Sequence, residues 1–192
     1  MRLIAITGGI GSGKSVVSRV VTVMGHPVYD CDSRAKRLML EDAQVRRQLV
    51  GAFGQETYHV DGSLNRAHLS SAFKDSGALS RLNAIVHPAT SADLKRWSAE
   101  QSAQGAEIAF VETALLRTAG LDRVVDGVWH VTAPASLRIE RVMSRSGLTA
   151  DQVKERIASQ RDEETLSDGE QVLINDGATA LLPQIIKLID VF

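Results

Sequence analysis

The sequence LIAITGGIGSGKS at residues 3–15 decides the fold that we expect for this chain. Its first four residues are apolar without alternation, which is typical of a strand buried on both faces of a parallel sheet. The residues from Gly8 to Ser15 match G-x-x-x-x-G-K-[ST], a pattern that binds phosphate when it lies between a strand and a helix. A helix is predicted next, because apolar residues recur at helical spacing until Gly25-His26-Pro27: Val16, Val17, Val20, Val21 and Met24.

Strand and helix patterns alternate along the rest of the chain. Further short strands are predicted at 27–29, 108–111, 128–131 and 172–174. With the first strand they predict a three-layer α/β/α fold of the P-loop NTPase type, with a parallel five-stranded sheet. We expect a single domain over residues 1–192, with a helical insert at about 33–105 and a lid at about 138–165.

Within the insert, helix breaks are predicted at 51–54, at Asp61-Gly62, near Gly77 and at Pro88. The last helix is predicted to bury one apolar stripe formed by Leu181, Leu182, Ile185, Leu188, Ile189 and Phe192. After Thr149, the spacing to Gln152 predicts a capping box at the start of another helix.

The composition limits the classes of function. Lys and Arg number 22 against 23 Asp and Glu, a formal net charge of −1 in 192 residues, so a general nucleic-acid binder is not expected. The single cysteine, Cys31, cannot form an internal disulfide bond. We find neither a signal-peptide pattern nor an apolar run of about 18 residues. These observations predict a cytoplasmic protein without a nucleic-acid or membrane partner.

The glycine loop predicts how a nucleotide would be bound. Glycines allow successive backbone N–H groups to converge on a phosphate at the positive end of the following helix. Lys14 would place its ammonium between the β- and γ-phosphates, and Ser15 would offer a hydroxyl to Mg²⁺. We therefore expect ATP and Mg²⁺ at a loop whose binding residues are Gly9, Gly11, Ser12, Gly13, Lys14, Ser15 and Val16.

Asp30-Cys31-Asp32 follows the second predicted strand, where parallel α/β proteins place ligands. Aspartates at such a junction are commonly helix N-caps or turn residues. Beside a phosphate loop, Asp32 could instead accept a hydrogen bond from an attacking hydroxyl. A carboxylate is a weak base towards an alcohol, so orientation of the hydroxyl would be the main contribution of Asp32.

Arg138, Arg141 and Arg145 stand at i, i+3 and i+7, on one narrow face of a predicted helix. One interpretation is a solvated charged face. The other is a closing lid whose arginines neutralise phosphate charge and exclude water, with Ser146-Gly147 as its hinge.

Two further residues are candidates for binding. Glu112 ends an apolar strand and could lie in the water shell of Mg²⁺, although a turn carboxylate is an equally good interpretation. His87, before Pro88, could bind a substrate phosphate, although an isolated histidine is usually structural.

Several stretches, in this order along the chain, resemble the dephospho-coenzyme A kinase family. They are the loop Thr7–Ser15, Asp30-Cys31-Asp32, the segment DGSLNR at 61–66, His87-Pro88, the pair Arg141 and Arg145, Gln160, and Asn175-Asp176-Gly177. The glycine loop is common to many kinases, whereas the ordered combination over residues 3 to about 177 is specific.

The resemblance implies transfer of the γ-phosphate of ATP to the ribose 3′-hydroxyl of dephospho-coenzyme A. It implies that Asp32 is the catalytic carboxylate, with Lys14 and the lid arginines Arg141 and Arg145 stabilising charge. Asn175 would lie beside the nucleotide, Thr7 and His87 would contact the acceptor, and the helical insert would be substrate-binding. A monomer or a small homo-oligomer such as a trimer is implied as well.

The chain departs from the family pattern at two places. Val16 stands where a threonine is common, which removes a hydroxyl but keeps the backbone N–H. The segment VETALLRT at 111–118 differs from the usual V-D-x-P-L-L-x-E, so Glu112 replaces an aspartate and Thr118 replaces an acid.

Two other functions stay open. One is a nucleoside or nucleoside-monophosphate kinase of the same fold. The other is a nucleotide-dependent regulator without a small-molecule acceptor; a GTP-dependent one would need an N-K-x-D signature, which the sequence lacks.

Overall fold

A computed structural model describes residues 1–72 and 77–191 of the chain. The strands are β1 (Arg2–Thr7), β2 (Val28–Asp30), β3 (Ile108–Glu112), β4 (Gly127–Thr132) and β5 (Gln171–Ile174). The α-helices are α1 (Lys14–Val23), α2 (Cys31–Glu41), α3 (Ala43–Phe53), α4 (Arg66–Ala72), α5 (Ala78–Ala103), α6 (Ala135–Ser146), α7 (Ala150–Ser159), α8 (Arg161–Glu164) and α9 (Leu181–Ile189). Short 3₁₀ turns cover Gln55–Thr57 and Leu121–Arg123.

The strands form one five-stranded sheet in the order β2-β3-β1-β4-β5. β1 pairs in parallel with β3 and β4, and β4 pairs in parallel with β5. The sheet confirms the α/β class and the five strands that the sequence predicts. Because β1 is central and buried from Leu3 to Thr7, the loop that follows it begins in the middle of the sheet edge.

The chain divides into two compact units, Met1–Tyr29 with Ser98–Phe192 and Asp30–Trp97. The first unit contains the glycine loop and packs α1 and α9 on the sheet through a core of large apolar residues. That core comprises Ile4, Ile6, Val17, Val21, Phe110, Trp129, Val131, Leu173 and Ile185. The boundaries predicted for an insert and a lid stay predictions.

The second unit is helical and has its own core, formed by Val45, Leu49, Phe53, Leu69 and Ala78. The predicted turn at Asp61-Gly62 is present, because Asp61 Oδ1 accepts from the N–H of Ser63 at 2.9 Å. A short antiparallel bridge between Tyr58 and Leu64 closes this turn. Much of the DGSLNR segment is thus accounted for by local hydrogen bonding.

The structure corrects two details of the predicted helices. α5 continues through Pro88, where a break was expected. The lost N–H is tolerated because the buried face continues on both sides of the proline, with Val86 7% and Leu94 1% exposed. In α9, Leu182 is 51% exposed and lies outside the buried stripe, and Phe192 lies beyond the described residues.

Between α2 and α3 there is a break that is not among those predicted from the sequence. Asp42 is extended there and accepts hydrogen bonds from the N–H groups of Gln44 and Val45, both at 2.9 Å. It is therefore the N-cap of α3. None of the helices within residues 1–72 and 77–191 is both long and apolar enough to cross a bilayer.

Candidate active site

The glycine loop, residues 8–15, leads from the carboxyl end of β1 into the first turn of α1. Gly13 is the N-cap of α1 and has a φ of 101°, in the left-handed region that glycine adopts without strain. Backbone bonds tighten the loop, with Ser12 N–H donating to Gly9 O at 3.2 Å and Val16 N–H to Gly13 O at 2.9 Å. The predicted strand–loop–helix arrangement is confirmed, and it presents a helix N-terminus suited to an anion.

The ammonium of Lys14 lies at the start of this loop. Its Nζ donates to the carbonyl of Gly8 at 2.8 Å and to that of Gly9 at 3.3 Å. These two bonds hold the ammonium at the carboxyl end of β1.

Two buried hydroxyls, one in the loop and one in the strand before it, form no hydrogen bond with the residues that the structure describes. They are Oγ1 of Thr7 and Oγ of Ser12, in residues that are 0% and 1% exposed, and neither has a partner in the described part of the chain. Buried polar atoms are nearly always hydrogen-bonded in native proteins. The two hydroxyls are exceptions to this rule at the loop.

The three arginines of α6 do not share one environment. Arg138 is buried, 7% exposed, so a solvated face is the wrong interpretation for it. Arg141 is half-buried and its Nη1 donates to Asn175 O at 3.1 Å, with Gly11 O at 3.4 Å and Ser12 O at 3.5 Å. Arg145 is exposed, and its side chain forms no hydrogen bond with the residues that the structure describes. α6 thus brings Arg138 and Arg141 to the loop, while the lid role of Arg145 stays a prediction.

Two amide side chains, distant in sequence, hold the loop. The N–H of Ile10 donates to Gln160 Oε1 at 2.8 Å. Nδ2 of Asn175 donates to the carbonyl of Ser12 at 2.8 Å, and the N–H of Asn175 donates to Thr132 O at the end of β4. The contacts place both residues at the phosphate loop.

The two residues that the sequence suggests as Mg²⁺ ligands, Ser15 and Glu112, lie in this unit. Ser15 is exposed in the first turn of α1, and Glu112 is the last residue of β3, opposite Ile6 of β1. A hydroxyl and a carboxylate are the hard ligands that Mg²⁺ prefers, usually together with phosphate and water. The described residues hold no cluster of three or more metal-binding side chains, so a metal here would depend on the nucleotide for further ligands. The donor set fits Mg²⁺ on those terms.

In the helical unit the two aspartates of Asp30-Cys31-Asp32 differ. Asp30 is the N-cap of α2, since its Oδ1 accepts from the N–H groups of Asp32 at 3.0 Å and Ser33 at 3.2 Å. Asp32 is exposed in the first turn of α2, and no described residue bonds to its carboxylate. Helix capping therefore explains the position of Asp30, whereas the carboxylate of Asp32 has no capping role. His87 is half-buried on α5, and its substrate role is not tested by its position.

Two acidic residues that no sequence motif contains, Glu163 and Glu170, hold the altered segment 111–118. The N–H groups of Arg117 and Thr118 donate to the carboxylate of Glu163 at 3.0 and 2.8 Å. The guanidinium of Arg117 binds Glu163 O at 3.0 Å and Glu170 Oε1 at 2.5 Å. No sequence signal connects these residues, because more than forty positions separate them.

His130 of β4 lies next to Glu170 of this network and is 5% exposed. Its Nδ1 is 3.6 Å from Glu170 Oε2. Burial lowers the pKa of His130 from its ordinary value of 6.5, and the charge of Arg117 adds to the shift, whereas Glu170 opposes it.

The fold and the loop together define a nucleotide-binding protein of the P-loop NTPase class. Comparison with known proteins narrows this class. The model of the dephospho-CoA kinase family matches residues 2–180, and the chain belongs to that family, whose members are ATP-dependent kinases.

Individual relatives agree with this assignment. A dephospho-CoA kinase of Porphyromonas gingivalis is 38% identical over 193 residues, covering 99% of this chain and 94% of the relative. A crystal structure from Thermus thermophilus is 31% identical, with a TM-score of 0.76 over 99% of this chain and 95% of the other. Dephospho-CoA kinase from Campylobacter jejuni shares the fold at 22% identity, with a TM-score of 0.72 and coverage of 99% and 96%.

Proposed function

We propose that this chain transfers the γ-phosphoryl group of ATP to the ribose 3′-hydroxyl of dephospho-coenzyme A, giving coenzyme A and ADP. The observation that carries the proposal is the glycine loop at the end of central strand β1, with Lys14 and two unpartnered hydroxyls beside it. Membership of the dephospho-CoA kinase family supports the choice of acceptor.

In the proposed reaction the loop binds the anionic end of ATP. Those backbone N–H groups of the loop that do not already donate to protein oxygens surround the β-phosphate at the N-terminus of α1. Lys14 and Arg141, with Arg145, stabilise the charge that spreads over the γ-phosphoryl oxygens and the bridging oxygen as the bond to ADP breaks. Asn175 holds the loop on the side of α6.

Asp32 orients the attacking hydroxyl. Its exposed carboxylate is unpaired in the described structure and can accept the hydrogen bond of the acceptor's 3′-hydroxyl. The new bond joins the 3′-oxygen to the γ-phosphorus, and the hydroxyl proton passes late to Asp32 and then to solvent. Thr7 and His87 are proposed to contact the acceptor.

Ser15 and Glu112 are proposed to hold Mg²⁺, Ser15 directly and Glu112 through water. When bound, the ion supplies positive charge to the β- and γ-phosphate oxygens. This chain's own contribution is to place those two oxygen ligands at the ends of neighbouring elements. We also propose a cytoplasmic enzyme that acts as a monomer or as a small homo-oligomer such as a trimer.

An acceptor screen tests the proposal. ADP formation from ATP should require dephospho-coenzyme A and should stay at background with adenosine, deoxyadenosine and nucleoside monophosphates. Mass spectrometry of the product should show one added phosphate on the 3′-oxygen. Phosphorylation of nucleosides without turnover of dephospho-coenzyme A would favour the nucleoside-kinase alternative and overturn the proposal.

A further inference from the structure

We propose that Arg138 is a positioning residue for nucleotide binding, which, held by Glu164, fixes the tip of the phosphate loop and does not contact the transferred phosphate. The loop tip is defined here as Gly9-Ile10-Gly11. The inference rests on the proposed binding of ATP at this loop.

The guanidinium of Arg138 is committed to protein atoms. Its Nε donates to the carbonyl of Ile10 at 2.8 Å. Nη1 and Nη2 donate to the two carboxylate oxygens of Glu164 at 2.8 and 2.6 Å. The side chains are only 8% and 24% exposed, so this bidentate pair is well shielded from water.

Residues 160–164, which include Glu164, contact the loop tip a second time. The N–H of Ile10 donates to Gln160, which directly precedes α8, while Glu164 is the last residue of α8. The N–H of Ile10 is thus bound by Gln160 itself. The carbonyl of Ile10 is bound by Arg138, which is paired with Glu164.

Glycines at the tip allow this close approach. A Cβ on Gly9 would overlap the carboxylate of Glu164 and the guanidinium of Arg138. A Cβ on Gly11 would lie 2.6 Å from the carbonyl oxygen of Arg138. The side-chain pair and the backbone of α6 therefore pack directly on the loop tip.

The charge of Arg138 also differs from that of its neighbour on α6. Arg138 is neutralised by a bidentate carboxylate, whereas Arg141 binds carbonyl oxygens and has no carboxylate partner in the described residues. Arg141 therefore keeps a net positive charge for a phosphate. Arg138 instead orders the loop before the nucleotide arrives, which lowers the entropy lost on binding.

This role predicts a specific pattern of affinities. Loop N–H groups bind the β-phosphate, which ADP and ATP share, so a loosened tip weakens both nucleotides equally. An arginine that contacts the γ-phosphate would affect ATP alone and would lower turnover.

The experiment measures Kd for ADP and for ATP by calorimetry, together with steady-state kinetics, in Arg138→Lys, Arg138→Gln and Glu164→Gln. Arg138→Lys should raise both Kd values by about tenfold, because it loses the bidentate fork and the bond to Ile10. KM for dephospho-coenzyme A should not change, and kcat should stay within about threefold. Glu164→Gln should act in the same direction with a smaller effect, and it provides the test if Arg138 variants do not fold.

The double variant Arg138→Gln/Glu164→Gln adds a rescue. It should bind ADP more tightly than Arg138→Gln alone, since no partly buried carboxylate is left unpaired and the glutamine amide can donate to Ile10. The control is Lys154→Gln, which removes an exposed ion pair with Asp151 on α7 and should leave every constant unchanged.

Two results would overturn the inference. One is weaker ATP binding with unchanged ADP binding and a fall in kcat of about a hundredfold, which would make Arg138 a ligand of the transferred phosphate. The other is a lower Tm with both Kd values unchanged, which would leave only a structural role. A wild-type chain that binds neither nucleotide would overturn the proposed function, and this inference with it.

Discussion

The side-chain amide of Asn175 donates to the carbonyl of Ser12 at 2.8 Å, across 163 positions of sequence. The same amide occupies the space that a Cβ on Gly13 would need. The turn after β5 and the N-terminus of α1 are thus fitted to each other, so the shape of the phosphate loop depends on the last strand of the sheet.

Removal of this amide should weaken nucleotide binding. Asn175→Ala leaves the Ser12 carbonyl without its donor, and we expect KM for ATP to rise by about fivefold. Asn175→Asp should have a larger effect, because a carboxylate there would face the same carbonyl oxygen. Steady-state kinetics at saturating acceptor measure both effects, and equal KM values in the two variants and the wild type would contradict the role.

Substitution of Gly13 should be more severe. In Gly13→Ala the Cβ would overlap the Asn175 amide at a φ of 101°, which alanine rarely adopts. We expect a lower Tm and loss of ADP binding. Gly25→Ala is the matched control, because Gly25 also has positive φ, 94°, but no atom lies within 4 Å of its Cβ position. Gly25→Ala should reduce Tm without affecting ADP binding.

Lys14 should be required for turnover. Lys14→Ala removes the ammonium beside the loop, and we expect kcat to fall by about a hundredfold or more. The measurement is ADP release with both substrates saturating. Lys154→Ala, which removes an exposed ammonium on α7, should be unaffected, and a normal rate for Lys14→Ala would refute the assignment of the loop.

The two aspartates at the start of α2 should respond differently to the same change. Asp32→Asn should keep the Kd for ATP while kcat falls by at least about a hundredfold. The neutral amide is a weaker hydrogen-bond acceptor than the carboxylate and cannot take up the hydroxyl proton. Asp30→Asn keeps an effective N-cap and should retain kcat within about threefold. Comparable losses in both variants would contradict the separation of capping from catalysis.

Protonation of His130 should lower the free energy of unfolding as the pH falls. Burial lowers its pKa below 6.5, so between that lowered value and 6.5 the unfolded chain binds more protons than the folded chain. The free energy of unfolding therefore rises with pH across this window and is reduced as pH falls through it. The free energy of unfolding, measured with denaturant at several values between pH 5 and 7, should change less steeply with pH in His130→Gln than in the wild type.

The wild-type chain, measured over the same pH range, is the reference for this comparison. A slope in His130→Gln as steep as that of the wild type would assign the acid sensitivity to other groups.

The local features of the fold could be predicted from the sequence because each depends on neighbouring residues. The apolar run of β1, the glycines before α1, and the capping box of Thr149 and Gln152 are all read within a few positions. Pro88 shows the limit of this local reasoning. Packing of α5 on both sides of Pro88 keeps the helix continuous, and that packing involves residues distant in the sequence.

The sequence by itself determined the phosphate loop and the order of strands and helices, since glycine conformation and hydrophobic spacing are properties of adjacent residues. Only the tertiary structure decided what surrounds that loop. Arg138 meets Glu164, Asn175 meets Ser12, and Glu163 meets Arg117 through hydrogen bonds between distant segments. Such bonds follow from the packing of α6, α8 and β5 around the sheet edge, and they leave no periodic trace in the chain.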